Sequence, residues 1–176
     1  MEKKLKIFEK IIKYNFKKKL ILEKALTHKS FNNNINNEKL EFLGDRVLGL
    51  TIAERLLEKY PDEKEGVIDK EFANLVNKKT CSNIAKIINL KKFVLLGTSH
   101  KKLDRSSDKI TSDCLEAIVG AIYLDGGLKS AEKFIHYFWE EYLLKSNITI
   151  VDSKTKLQEF SLKKFKVLPK YIFSKK

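Results

Sequence analysis

Proline is nearly absent from this sequence, with 2 in 176 residues, and glycine is scarce at 7. So few chain-breakers argue against a fold of many short strands and turns, and for long helices. Cysteine is equally rare, with only Cys81 and Cys114. Two cysteines make no disulfide framework, and this pair has no metal-ligand spacing, so a reducing, intracellular setting is expected. No apolar run approaches the length of a membrane span. The N-terminal stretch MEKKLKIFEK is charged throughout and lacks the apolar segment of a signal peptide. The expected location is therefore the cytoplasm, with no membrane partner. A glycine-rich phosphate loop is also missing, and no small-molecule cofactor is expected. The histidines His28, His100 and His136 are isolated from one another and read as surface or packing residues.

What is plentiful is lysine. Lys and Arg number 36 against 23 Asp and Glu, for a formal net charge of +13. Such an excess points to a polyanionic partner, nucleic acid first and an anionic membrane surface second. Blanket lysine also serves solubility, so charge alone does not settle the matter. Hydrophobic residues make up 43% of the chain, enough for one well-packed domain and a small appendage.

Leu5, Phe8, Ile11 and Ile12 recur at helical spacing, which predicts a helix over 4–13. A short second helix is predicted over 20–28. The asparagine-rich loop 32–37 offers N-caps for a long helix over 38–60, which stops at Tyr60-Pro61. After a loop over 62–66, helices are predicted over 67–79 and 81–88. Residues 95–109 read as a polar connection. Helical pattern returns over 112–124, breaks at Asp125-Gly126-Gly127, and runs again over 128–144. No β-hairpin signal occurs up to this point, and the region reads as all-α. Composition then shifts. Residues 147–151 read as a linker, 154–165 as one amphipathic helix, and 170–173 as the start of a strand. Residues 152–176 hold eight lysines against Asp152 and Glu159. One helix and one strand cannot bury a core alone, so this tail either docks on the first domain or opens a second one.

The helix over 38–60 carries an unexpected stripe. At 100° per residue, Glu38, Glu41 and Asp45 fall within an arc of about 60°. Much of the rest is Leu40, Phe42, Leu43, Val47, Leu48 and Leu50. Like charges at this spacing repel, and burial makes each costlier, so a cation must compensate. Asp113 and Glu116 repeat the design one turn apart, among Leu115, Ile118, Val119 and Ile122. Gly44 and Gly49 in the first helix, and Ala117, Gly120 and Ala121 in the second, predict a close crossing. A helix-interior glycine costs roughly 1 kcal/mol against alanine, and close backbone approach is the simplest reason to tolerate it. The two stripes would then face each other, as inward carboxylates do in metal-binding bundles. A single acidic residue on a helix ordinarily pairs with Lys or Arg, and Lys39 and Arg46 are near enough. Two such stripes on apolar helices favour a metal site. An all-oxygen ligand set selects a hard cation, Mg²⁺ with Mn²⁺ as a substitute. With a basic surface, the natural substrate is a phosphodiester.

The segment NNEKLEFLGDRVLGL (36–50) closely resembles the signature of the ribonuclease III family. ALTHKSF (25–31), Glu65-Gly66, LVNKKTCSNIA (75–85) and SDCLEAIVGAIYLDGG (112–127) are similar in order and spacing. The resemblance covers roughly residues 5–145. It implies an all-α, homodimeric endonuclease domain over 1–146 that uses Mg²⁺ and water to cut double-stranded RNA. The implied products carry 5′-phosphate and 3′-hydroxyl ends, and the usual role is processing of ribosomal RNA precursors and other structured RNAs. Asp45 and Glu116 match the catalytic positions, and Glu41, Asp113 and Glu116 the metal ligands. Glu38 and Glu65 match accessory acidic positions. Phe42, read as exposed and opposite the acidic stripe, is a candidate dimer anchor. DSKTKLQEF (152–160) and LPKYIF (168–173) resemble the start of an α+β double-stranded RNA-binding domain, truncated at Lys176, with Gln158 at a minor-groove-contacting position. The competing reading is a non-catalytic double-stranded RNA-binding dimer of the same fold. The presence of all four core carboxylates argues against it. The lysine excess argues against a third reading, a hydrolase of small phosphorylated molecules.

Overall fold

The computed structural model describes residues 2–97, 107–146 and 153–170. The chain divides into two units, 1–145 and 146–176. The first contains α1 (Glu2–Ile12), α2 (Lys19–Ala25), α3 (Glu38–Lys59), α4 (Glu65–Val76), α5 (Lys78–Ile87), α6 (Ser107–Gly126) and α7 (Leu128–Lys145). The second contains α8 (Ser153–Phe165). Among the described residues there is no strand, only an isolated parallel bridge between Thr27 and Leu95. The expected strand over 170–173 falls almost wholly outside the described residues.

The first unit is organised around α3 and α6, which cross with their backbones in contact. A methyl group built on Gly44 would stand 1.7 Å from the Glu116 carbonyl oxygen, and one on Gly120 would stand 2.3 Å from that of Leu40. Only glycine fits either place. Gly49 plays a different part from the one expected. It lies away from the crossing, against the Phe72 ring of α4, at an ordinary contact distance of 3.5 Å.

Around this crossing the apolar faces close into one core. Leu48, Ile52 and Leu56 of α3 are buried with Leu115, Ile118 and Ile122 of α6. Phe8 and Ile12 of α1, Ile84 of α5 and Ile135 of α7 join them. Trp139 is wholly buried, and its indole N–H donates to the Leu75 carbonyl at 2.9 Å, tying α7 to α4.

Several boundaries differ from the sequence reading, each for a local reason. The predicted helix over 67–79 splits, because the Asn77 side chain accepts the Thr80 amide at 2.9 Å and starts α5. The expected asparagine cap of α3 is also altered. Asn37 is nearly helical in backbone and makes no side-chain cap bond; Asn36 Oδ1 instead accepts the Glu38 amide at 3.1 Å. α6 begins at Ser107, inside the segment read as a polar connection. It continues through Asp125 to Gly126, and the break comes at Gly127, whose φ of +79° suits glycine.

Asp125 holds the α1–α2 turn in place. Its carboxylate accepts the Tyr14 hydroxyl at 2.8 Å and the Lys17 and Lys18 amides at 2.8 and 2.9 Å. Burial pushes its pKa up, but these three donors more than offset that and leave it below the ordinary value.

Candidate active site

The crossing at Gly44 and Gly120 sets two acidic turns against each other. Glu41 precedes Gly44 on α3, and Asp113 and Glu116 precede Gly120 on α6. Each of these three carboxylates brings an oxygen within 4.8 Å of the others. At these two glycines the backbones meet directly, which brings the two acidic turns close together.

Asp45 stands beside the group. It lines a shallow cavity of ≈ 260 Å³ together with Glu38, Glu41, Phe42, Arg46 and Glu116. Its carboxylate accepts from the Arg46 guanidinium at 2.5 Å, and that guanidinium lies over the Phe42 ring at 4.2 Å. Phe42 is 64% exposed, as expected, but not opposite the acidic stripe. Four residues from Glu38, it lies only about 40° away around the helix and forms part of the cavity wall.

Glu116, Glu41 and Asp113 are all shifted upward from the ordinary carboxylate range. Burial pushes Glu116 up to about 8, reinforced by the charges of Asp45, Asp113 and Glu41. Burial also raises Glu41, with Asp113 and Glu38 adding to it. Asp113 is raised by burial, while Lys109 and Lys78 partly oppose the shift. Among the described residues, no Lys or Arg forms an ion pair with any of the three. Half-buried acids that form no ion pair among the described residues could hold a divalent cation, and their all-oxygen donors suit a hard one.

The remaining predicted residues separate. Glu38 is exposed on the rim and bonded to Lys29 at 2.8 Å, a pairing that lowers its pKa. Glu65 is the exposed first residue of α4 and is not part of the three-carboxylate group. Gln158 lies half-buried on α8 in the second unit. Sequence reasoning missed Lys109 and Lys78. Lys109 is four residues before Asp113 and becomes legible once α6 is extended to Ser107. Lys78 carries no such signal, because only the packing of α5 brings it near.

The ribonuclease-III-like family model matches residues 18–143. The chain belongs to the ribonuclease III family. The Ribonuclease 3 of Pelagibacter ubique is 60% identical over 163 residues, covering 93% of this chain and 73% of that protein. A crystal structure of the ribonuclease III nuclease domain from Campylobacter jejuni is similar at TM-score 0.74 and 39% identity, covering 80% of this chain and 96% of that one. A second structure of that nuclease domain, described for flexibility in its dimer-forming region, is similar at TM-score 0.73 and 41% identity, covering 76% of this chain and 94% of that one. Ribonuclease III membership sets the enzyme class: an endoribonuclease, and so a hydrolase.

Proposed function

We propose that the chain is a divalent-metal-dependent endonuclease of double-stranded RNA. The observation that carries this reading is the convergence of Glu41, Asp113 and Glu116 at the α3–α6 crossing. In this reading the three hold Mg²⁺, for which Mn²⁺ can substitute, and Asp45 and Glu116 are the catalytic pair. A cation bound there supplies Lewis acidity toward water and toward the phosphate oxygens. Glu116, whose pKa burial raises in the absence of metal, would hold the cation in its ionised form. Asp45, oriented by Arg46, accepts a hydrogen bond from the attacking water on the open side of the cavity. Lys29, Lys78 and Lys109 ring the acidic group and meet the RNA backbone, whose affinity falls as salt rises. Glu38 and Glu65 contact substrate or tune the site. The products carry 5′-phosphate and 3′-hydroxyl ends.

The chain acts as a homodimer, so that two sites address the two strands of one duplex. Exposed Phe42 beside the cavity is its anchor. Residues 1–146 form the nuclease domain, 147–151 a linker, and 152–176 the N-terminal part of a double-stranded RNA-binding domain in which Gln158 reaches the minor groove. Ribosomal RNA precursors and other structured transcripts in the cytoplasm are the substrates. Among the described residues no helix is long and apolar enough to cross a membrane.

The test is cleavage of a long perfect RNA duplex at low salt, with Mg²⁺, with EDTA, and by Glu116→Gln in Mg²⁺. Cutting that requires Mg²⁺ and is lost in Glu116→Gln supports the reading. Duplex binding without cutting in Mg²⁺ or Mn²⁺ would leave a non-catalytic binding dimer.

A further inference from the structure

Four buried side-chain polar atoms have no hydrogen-bond partner among the described residues: Asn37 Nδ2, Thr51 Oγ1, Ser82 Oγ and Ser112 Oγ. Such atoms are costly, and each asks for an explanation. Thr51 and Ser82 precede Arg55 and Lys86 by four residues. Asn37 and Ser112 precede Glu41 and Glu116 by the same interval.

That interval matters because a helical side chain leans over the turn N-terminal to its own Cα. By that rule the turn beneath the Glu41 side chain is the one that holds Asn37, and the turn beneath Glu116 the one that holds Ser112. Asn37 is already in register with α3, since its carbonyl accepts the Glu41 amide at 2.8 Å. Ser112 is wholly buried within α6, and Asn37 is 2% exposed. The neighbours of both are consistent with this placement. The Cys81 thiol lies beside Ser112 and feels the charges of Glu116 and Asp45; the Cys114 thiol lies beside Asn37 and feels those of Asp113 and Glu41. A thiol is a weak hydrogen-bond partner and does not satisfy either residue.

We propose that Asn37 and Ser112 are positioning residues that hold the metal-ligating carboxylates of Glu41 and Glu116. Each donates, directly or through one water, to the carboxylate oxygen turned away from the metal. A carboxylate ligand has two oxygens, and fixing the outer one sets the aim of the inner one. In the metal-free fold neither donor has a partner stronger than a neighbouring thiol among the described residues. They are needed once the carboxylates are fully ionised around a cation.

This inference rests on the reading of Glu41, Asp113 and Glu116 as metal ligands, so its test separates the two. Mn²⁺ binding to the full chain is measured by electron paramagnetic resonance, for the parent, Ser112→Ala, Asn37→Leu and Glu116→Gln. Melting temperatures with and without Mn²⁺ accompany it. Ser112→Ala and Asn37→Leu should each bind Mn²⁺ about tenfold more weakly, as removal of a partner behind a ligand does elsewhere. Their metal-free melting temperatures should be unchanged or higher, since an unsatisfied buried group has been removed. The duplex KM should stay near the parent value, with the loss falling on kcat at limiting metal. Parent-like Mn²⁺ binding in either variant, alongside loss in Glu116→Gln, overturns the positioning role and leaves the metal reading intact. No Mn²⁺ binding by the parent removes both. Failure of either variant to fold without metal also overturns the proposal, because it shows that the side chain already had a structural partner.

Discussion

α6 carries two kinds of carboxylate, and they behave in opposite ways. Asp125, near its C-terminal end, receives three donors, and its pKa is held below the ordinary value. Glu116, nine residues earlier, sits among like charges, and burial pushes it up to about 8. One helix thus holds an acid whose hydrogen-bond donors come from this chain and an acid that forms no ion pair among the described residues. The difference teaches where to look for chemistry. A carboxylate satisfied by its own fold is structural, and one left short of donors by its own fold is a candidate for a ligand.

The sharpest way to break this comparison is to neutralise each acid. Glu116→Gln is expected to lower the cleavage rate of duplex RNA by roughly 10³-fold or more, with little loss of stability. Asp125→Asn is expected to leave the rate nearly unchanged. If the two variants lose activity equally, the distinction fails. Next in size is the crossing that assembles the acidic site but not the Asp125 end. Gly44→Ala drives a methyl group into the Glu116 carbonyl, and should cost about 3 kcal/mol or more in urea unfolding.

Asp125→Asn has a smaller effect of its own. It weakens bonds to a charged acceptor near the surface, and should cost about 1–2 kcal/mol by the same unfolding assay. The fourth expectation is pH dependence. Glu116 has a folded pKa above its unfolded value, so its contribution is fully present below the ordinary 4.5 and is lost as pH rises through about 8. Metal-free melting temperature should therefore drift down across that window. Mg²⁺ favours the ionised form, so the rise in melting temperature it produces should grow over the same window. Asp125 has the opposite sign: its contribution is present at neutral pH and is lost in acid, where the ordinary carboxylate range is crossed. A metal-induced shift that is flat with pH would sink the Glu116 half of the contrast.

Much of this arrangement could be read from residues in a row. The periodicity of 38–60 and its stop at Tyr60-Pro61 anticipate α3 closely, because apolar spacing and proline are local signals. The pairing of Glu41 with Asp113 and Glu116 was legible through glycine, since small residues in apolar helices mark a crossing. The sequence does not say which glycine. Gly44 and Gly120 meet backbone, whereas Gly49 meets a ring. The start of α6 was hidden because Ser107-Asp108-Lys109 is polar and looks like loop, and Lys109 was lost with it. The Thr27–Leu95 bridge was illegible for another reason, since pairing over such a separation leaves no local pattern. The misplacement of Phe42 was avoidable: four residues from Glu38 is the same side of a helix, not the far one.

The bare contact of α3 with α6 at Gly44 and Gly120 also has an entropic side. Where side chains mediate a crossing, rotamer changes let the separation drift by fractions of an ångström. At Gly44 and Gly120 there is no side chain to change, so the distance between the two acidic turns is set largely by peptide geometry. The two acidic turns therefore reach their separation when the chain folds, before any ligand binds. That share of the entropy of assembling a site is lost in folding, and a cation would have only the carboxylate side chains left to order.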